Sequence, residues 1–174
     1  TRLRNGNLDL AIMALPSEAT GMVDSPLYTE KFSIVCPPDH PIAGREDVEL
    51  AELKDLDLLL LDDGHCLRDQ VVDLCRHANI NPAEATNSVT RASSLTTIMQ
   101  LVMGGLGCTL VPESALATEC HGKDVAISHF APNVTAEREV GLVFRSSAAR
   151  SEEFREFGTL ITSAYNKAIE RSQQ

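Results

Sequence analysis

Apolar positions along this chain fall into two patterns, continuous runs and helical stripes. Leu8 to Leu15 and Lys31 to Cys36 are nearly continuous apolar runs, as expected of strands covered on both faces in a parallel sheet. Leu56 to Leu61 is a third run, after which Leu67, Val71, Leu74 and Ala78 recur at helical spacing. That stretch reads as strand, acidic turn and helix, the helix covering Cys66 to Ala78. The alternation continues as strand Ala85 to Val89, helix Ser94 to Met103, strand Cys108 to Val111, helix Glu113 to Thr118 and strand Val125 to Ser128. A strand from Glu139 to Phe144 and a closing helix from Glu152 to Arg171 follow. In that helix Phe154, Phe157, Leu160, Ile161, Ala164 and Ala168 form one predicted apolar stripe. Together these elements predict an α/β fold with mostly parallel sheets.

Glycine and proline punctuate the pattern. Gly6 closes what reads as the tail of a helix, so the chain is expected to begin inside a domain. Pro37-Pro38-Asp39-His40-Pro41 excludes helix and interior strand, and Ala131 to Ala136 is a second proline-containing break. Both are read as crossings between two lobes. Gly104-Gly105-Leu106-Gly107 follows a helix instead of opening one, which predicts a C-cap and turn and not a dinucleotide fingerprint.

The acidic turn carries the candidate chemistry. Cys66 falls at the helix start and Cys75 nine residues later. On a regular helix that spacing is about 13 Å along the axis and roughly half a turn around it, whereas a disulfide needs Cα atoms within about 7 Å. The thiols can join only if the helix between them opens. A helix N-terminus, His65 and Arg68 favour thiolate at Cys66, while Asp62, Asp63 and Asp69 oppose it. From spacing alone, two inert buried cysteines are the simpler reading.

Gly64-His65-Cys66-Leu67-Arg68-Asp69-Gln70 with Cys75 resembles the sensing segment of the peroxide-responsive members of the LysR-type transcription regulators. Ala92-Ser93-Ser94-Leu95, Gly105 to Pro112 and Gly141 to Arg145 follow in the family's order. The resemblance implies a periplasmic-binding-protein-like (type 2) effector domain of two lobes joined by two crossover segments. Residues 1–35 and 138–174 would form regulatory lobe I, N-terminally incomplete, and 36–137 lobe II with the redox cysteines. By the same resemblance Cys66 is the peroxide-sensing thiol, Cys75 the resolving thiol, and His65 and Arg138 assist. Arg138 would set a positive charge near the thiol across the lobe boundary; flanked by Glu137 and Glu139, it also reads as an edge-strand charge. Hydroxyls that complete the family's peroxide pocket would precede residue 1.

A ligand-binding effector domain is the alternative, with a small anion at Ser93 and Ser94, Arg68 and Asp69 nearby, and inert cysteines. Ser93 and Ser94 equally suit helix N-capping, and Arg68 could pair with Asp69. A thiol peroxidase is the enzyme alternative to a non-enzymatic sensor. Cys36 and Cys108 lie in apolar runs and read as core. Cys120-His121 lacks a second ligand pair at zinc spacing, so no metal is expected, and no cofactor.

Composition narrows the partners. At 174 residues and 43% hydrophobic content the chain can bury a sizeable core. A net charge of −10 opposes condensation on a phosphate backbone. Promoter DNA is therefore expected only through a helix-turn-helix domain preceding residue 1. Hydrogen peroxide, a homodimer or homotetramer partner and RNA polymerase complete the partners that the resemblance implies. The apolar stretch Thr97 to Met103 is the candidate for part of a subunit interface, with buried core as its alternative. Five cysteines, an odd count without a secretion signal, suit a reducing compartment. No apolar run approaches the roughly 20 residues that span a bilayer, so a cytoplasmic location is expected.

Overall fold

The computed structural model of the chain describes residues 2–63, 66–81 and 86–172. In chain order its elements are strands β1 (Leu10–Leu15) and β2 (Met22–Cys36), a 3-10 helix (Leu50–Asp55), β3 (Leu58–Leu61) and α1 (Cys66–His77). There follow β4 (Thr86–Ala92), α2 (Leu95–Met103), β5 (Thr109–Pro112), α3 (Glu113–Glu119), β6 (Ala126–His129), β7 (Glu137–Arg145) and α4 (Ser151–Ser172). The chain divides into two compact units, Thr1–Glu30 with Glu137–Gln174, and Lys31–Ala136.

The first crossing therefore lies inside β2, between Glu30 and Lys31, and not at the proline run. A strand can carry the chain between units because its backbone groups take different partners along its length. The prolines instead end β2 in consecutive turns, with the His40 N–H donating to the Pro37 carbonyl at 3.1 Å and the Ala43 N–H to that of His40 at 2.9 Å. The return falls between Ala136 and Glu137, where the second proline-containing break meets β7.

In the first unit β7 lies between β1 and β2, and β1 pairs with β7 antiparallel from Leu10 opposite Phe144 to Leu15 opposite Glu139. Gly141 permits this packing: a Cβ there would stand 2.5 Å from the Ser25 carbonyl oxygen and 2.6 Å from Leu15 Cδ1. Leu142, Phe144 and Phe154 form the core, the two phenyl rings meeting edge to face at 5.4 Å. The expected covering of both faces of β1 is not seen, since Ile12 and Met13 are exposed among the described residues. The stripe predicted for α4 also needs correction. Phe154, Gly158, Ile161 and Tyr165 face inward at helical spacing, and Tyr165 stacks on Tyr28 at 3.8 Å. Phe157 and Leu160, about 70° and 130° round the helix from that line, are exposed.

In the second unit the expectation of mostly parallel sheets holds only in part. β3 pairs with β4 in parallel, and Leu58 bridges Cys108 in parallel. The second half of β2 is antiparallel to β5 (Phe32 opposite Pro112) and to β6 (Cys36 opposite Ala126). β2 enters this unit directly as a strand, with no crossover helix to turn it parallel, whereas α1 and α2 connect β3, β4 and β5. Side chains alternating along these strands feed two core clusters. Ile34, Cys36, Leu58, Cys108 and Leu110 meet α1 on one side, and Val35, Leu59, Leu61 and Val111 meet α2 and α3 on the other. Ile98, Met99 and Val102 of the proposed interface stretch are fully buried, leaving Met103 and Leu106 exposed.

The turn from α2 into β5 is a Schellman cap: the Leu106 N–H donates to the Leu101 carbonyl at 3.1 Å and the Gly105 N–H to that of Val102 at 2.9 Å. Gly107 then takes φ +152°, and a Cβ there would collide with the Asp57 carbonyl oxygen. That oxygen accepts the Cys108 N–H at 2.9 Å, joining β5 to β3. Gly107→Ala is expected to cost about 2 kcal/mol, lowering Tm by roughly 4–8 °C. A thermal melt unchanged from wild type would contradict the close approach.

Candidate functional site

The acidic turn leaves β3 through Asp62 and Asp63, and α1 begins at Cys66. His65 and Gly64, both in the predicted sensing segment, lie outside the described residues. Cys66 is exposed, while Val71, Leu74 and Cys75 form the buried face of α1. Asp69 stands in the first turn and Arg76 and His77 in the last, matching the polarity of the helix dipole.

The far end of α1 holds Cys75 in place. Asn79 adopts φ +55°. Its N–H donates to the Arg76 carbonyl at 2.9 Å, and the next N–H, of Ile80, donates to the Cys75 carbonyl at 2.9 Å. These are the two bonds of a Schellman cap, and Ile80 packs in the same hydrophobic cluster as Cys75, the apolar contact that accompanies this motif. Cys75 is 0% exposed, and burial pushes its thiol above the ordinary value, keeping it protonated and unreactive. With α1 regular from Cys66 to His77, the two cysteines lie about 13 Å apart along its axis and roughly half a turn around it. Both are free thiols.

The charges near Cys66 pair differently from the expectation. Arg68 donates from Nη2 to Asp63 Oδ1 at 2.9 Å and not to the exposed Asp69. Adjacent positions on a helix do not face each other, whereas Asp63 precedes the helix and can fold back on it. Arg68 Nε is buried with no hydrogen-bond partner among the described residues. Beside it Leu61, Leu67, Val71 and Leu95 line an indentation of about 10 Å³ at the ends of β3 and α1, room for about one water. Ser94 caps α2: its hydroxyl oxygen accepts the Thr97 N–H at 3.3 Å, and Ser93 is exposed.

Arg138 is the second residue of β7, one position beyond Glu139, where the pairing with β1 ends. Its Nε and Nη2 donate to Glu30 Oε2 at 2.8 and 2.7 Å, and the Glu30 side chain is 0% exposed. Burial and the Glu30 carboxylate push the Tyr28 phenol up, with Arg138 opposing them. Neither Glu30 nor Tyr28 was among the sequence candidates. The available signal was strand parity, because Glu30 shares its face of β2 with Phe32, Ile34 and Cys36.

Cys36 and Cys108 are both 0% exposed, and Cys108 is pushed up to about 12, first by burial and then by Cys36 and Asp57. Cys120 is half-buried and also raised by burial. Among the described residues no three His, Cys, Asp or Glu side chains gather at metal-binding geometry. Nor, among them, is any helix long and apolar enough to cross a membrane.

Residues 1–166 match the LysR substrate binding domain. A probable hydrogen peroxide-inducible genes activator of Mycobacterium avium is 48% identical over 159 residues, covering 91% of this chain and 50% of that protein. The chain spans about half the length of the curated relatives it matches. Among solved structures, a cysteine-to-serine mutant of OxyR from Corynebacterium glutamicum with hydrogen peroxide bound is 57% identical, with a TM-score of 0.93 over 97% of this chain and 52% of that one. The oxidized form of OxyR from the same organism, also 57% identical, gives a TM-score of 0.84 over 99% of this chain and 53% of that one. The fold is thus of the periplasmic-binding-protein-like type 2 class. The chain belongs to the LysR substrate-binding domain family, and within it to the group of OxyR and the hydrogen peroxide-inducible activators.

Proposed function

We propose that this chain is the peroxide-sensing regulatory domain of a transcription regulator. The observation that carries the reading is an exposed Cys66 at the start of an intact α1, with Cys75 locked at its far end. The Cys66 thiolate attacks a peroxide oxygen, giving sulfenic acid and releasing water. Once α1 opens, the Cys75 sulfur attacks the sulfenic sulfur, forming the disulfide and releasing a second water. His65 and Arg138 are assigned to handling the peroxide, and Glu30 to holding Arg138. On this reading the unit of Thr1–Glu30 with Glu137–Gln174 is taken as regulatory lobe I and that of Lys31–Ala136 as lobe II.

Support comes from the relatives: one OxyR holds hydrogen peroxide once a cysteine is replaced by serine, and its oxidized form fits this chain less well, 0.84 against 0.93. We read the role as switching and not turnover, because each cycle must unwind and rebuild a helix. The whole protein would then bind promoter DNA through a domain preceding residue 1, as a homodimer or homotetramer.

Non-reducing peptide mapping after mild peroxide tests the reading. Wild type should yield a Cys66–Cys75 crosslink, Cys66→Ser none, and Cys75→Ser a trapped sulfenic acid. Both thiols remaining free in oxidised wild type would sink the sensor reading. The cap supplies a second test. Asn79→Ala places a Cβ-bearing, non-Asn residue at positive φ, which costs about 1 kcal/mol and should open the helix end. Stopped-flow crosslinking should then run roughly fivefold faster wherever opening limits the rate, while Asn79→Gly should stay near wild type. Equal rates in Asn79→Ala and wild type would mean that the cap does not restrain Cys75.

A further inference from the structure

A second pair of cysteines lies beneath the first. β2 and β5 pair antiparallel with Phe32 opposite Pro112, Ser33 opposite Val111, Ile34 opposite Leu110 and Val35 opposite Thr109. One more step of that register sets Cys36 opposite Cys108. Directly opposed residues of an antiparallel pair have Cα atoms about 4.5–5.5 Å apart, inside the roughly 4.4–6.8 Å window that a disulfide accepts. Both side chains point to the same face, since Ile34, Cys36, Cys108 and Leu110 share one hydrophobic cluster. Cys75 belongs to that same cluster. All three thiols are 0% exposed and unjoined.

This arrangement rests on the sensor reading above and extends it. If Cys75 is drawn out of the core to meet Cys66, the cluster that holds Cys36 and Cys108 loses a side chain, and the helix that carried it no longer lies intact against that face. We propose that Cys36 and Cys108 are a second redox pair, closed by a further molecule of hydrogen peroxide into a cross-strand disulfide only after Cys75 has left the core.

The order of attack follows from the surroundings. Cys36 donates weakly to the Ala126 carbonyl at 3.7 Å and is raised by burial, with Ser128 opposing that rise. Cys108 is raised by burial, Cys36 and Asp57, with nothing opposing. Cys36 is therefore the easier thiol to ionise and takes the peroxide oxygen, becoming a sulfenic acid as water leaves. The Cys108 sulfur then attacks the sulfenic sulfur, forming the S–S bond and releasing a second water. Two thiols lose two electrons and one peroxide becomes two waters. While α1 stands, full burial withholds both the oxidant and the thiolate. Peroxide is small and uncharged, so a gap little larger than a water site is enough to admit it. The resulting bond would tie β2 to β5, marking strong or prolonged exposure apart from a brief pulse.

Tryptic mapping of the intact protein separates the two bonds. Cys36, Cys66 and Cys75 fall in peptides 32–45, 55–68 and 69–76, and Cys108 falls in 92–123 with Cys120, which fragmentation distinguishes. With one equivalent of hydrogen peroxide wild type should give the Cys66–Cys75 peptide alone; with excess, the Cys36–Cys108 peptide should appear after it. Cys66→Ser, treated with the same excess, should keep Cys36 and Cys108 as thiols. Cys108→Ala should still form the Cys66–Cys75 bond. Wild type that closes Cys66–Cys75 but never Cys36–Cys108 would overturn the proposal and leave the sensor reading standing. Equally rapid closure of Cys36–Cys108 in Cys66→Ser would overturn the gate. Wild type that closes neither bond would overturn the sensor reading and the second pair with it.

Discussion

The hydrogen bond from the Ile80 N–H to the Cys75 carbonyl, closing α1 behind a positive-φ Asn79, is the constraint on which the proposed thiol switch depends. It ends the helix in a motif that also packs Ile80 in the cluster of Cys75. The Cys75 sulfur is thus held by backbone and by burial together, while Cys66 at the other end of the same helix stays exposed. Separation and readiness are properties of one element. Melting α1 removes the separation and exposes the second thiol in the same event.

The rest of the second unit is built so that this event need not unfold it. α1 has twelve residues, a length at which an isolated helix is marginal in water. Its persistence depends on Val71, Leu74 and Cys75 packing against a sheet whose pairings do not include it. β2 is hydrogen-bonded on both sides, to β5 and β6, and β3 joins β4 and Cys108. The opposite face is covered by α2 and α3, with Leu67 of α1 packed against the same cluster. A local opening with a cost well below that of global unfolding is what such an arrangement permits. Proteins use elements of this kind where two packings must alternate.

Much of this is written in the sequence. The helical spacing of Leu67, Val71 and Leu74 located α1, and the nine-residue interval of the cysteines implied their separation, because helix geometry is set by the backbone alone. Other features depended on partners distant in sequence. The crossing inside β2 was missed because a continuous strand carries no turn signal, while the prolines that follow it do. Glu30 was not singled out, although its parity with Phe32 and Ile34 pointed inward; its partner Arg138 lies more than a hundred residues on. Arg68 found Asp63 in place of its neighbour Asp69 for reasons of helix direction. In α4 both stripes are apolar, and sequence alone did not distinguish the face that meets Phe144 and Tyr28 from the one that carries Phe157 and Leu160.

In the proposed switch, oxidation at Cys66 is read out by unwinding α1. Amide hydrogen exchange over residues 67–76, followed by mass spectrometry before and after stoichiometric peroxide, measures it directly. The account predicts that these amides lose protection in oxidised wild type and keep it in oxidised Cys75→Ser, while β3 and β5 stay protected in both. A Cys66–Cys75 crosslink accompanied by undiminished protection of residues 67–76 would contradict it.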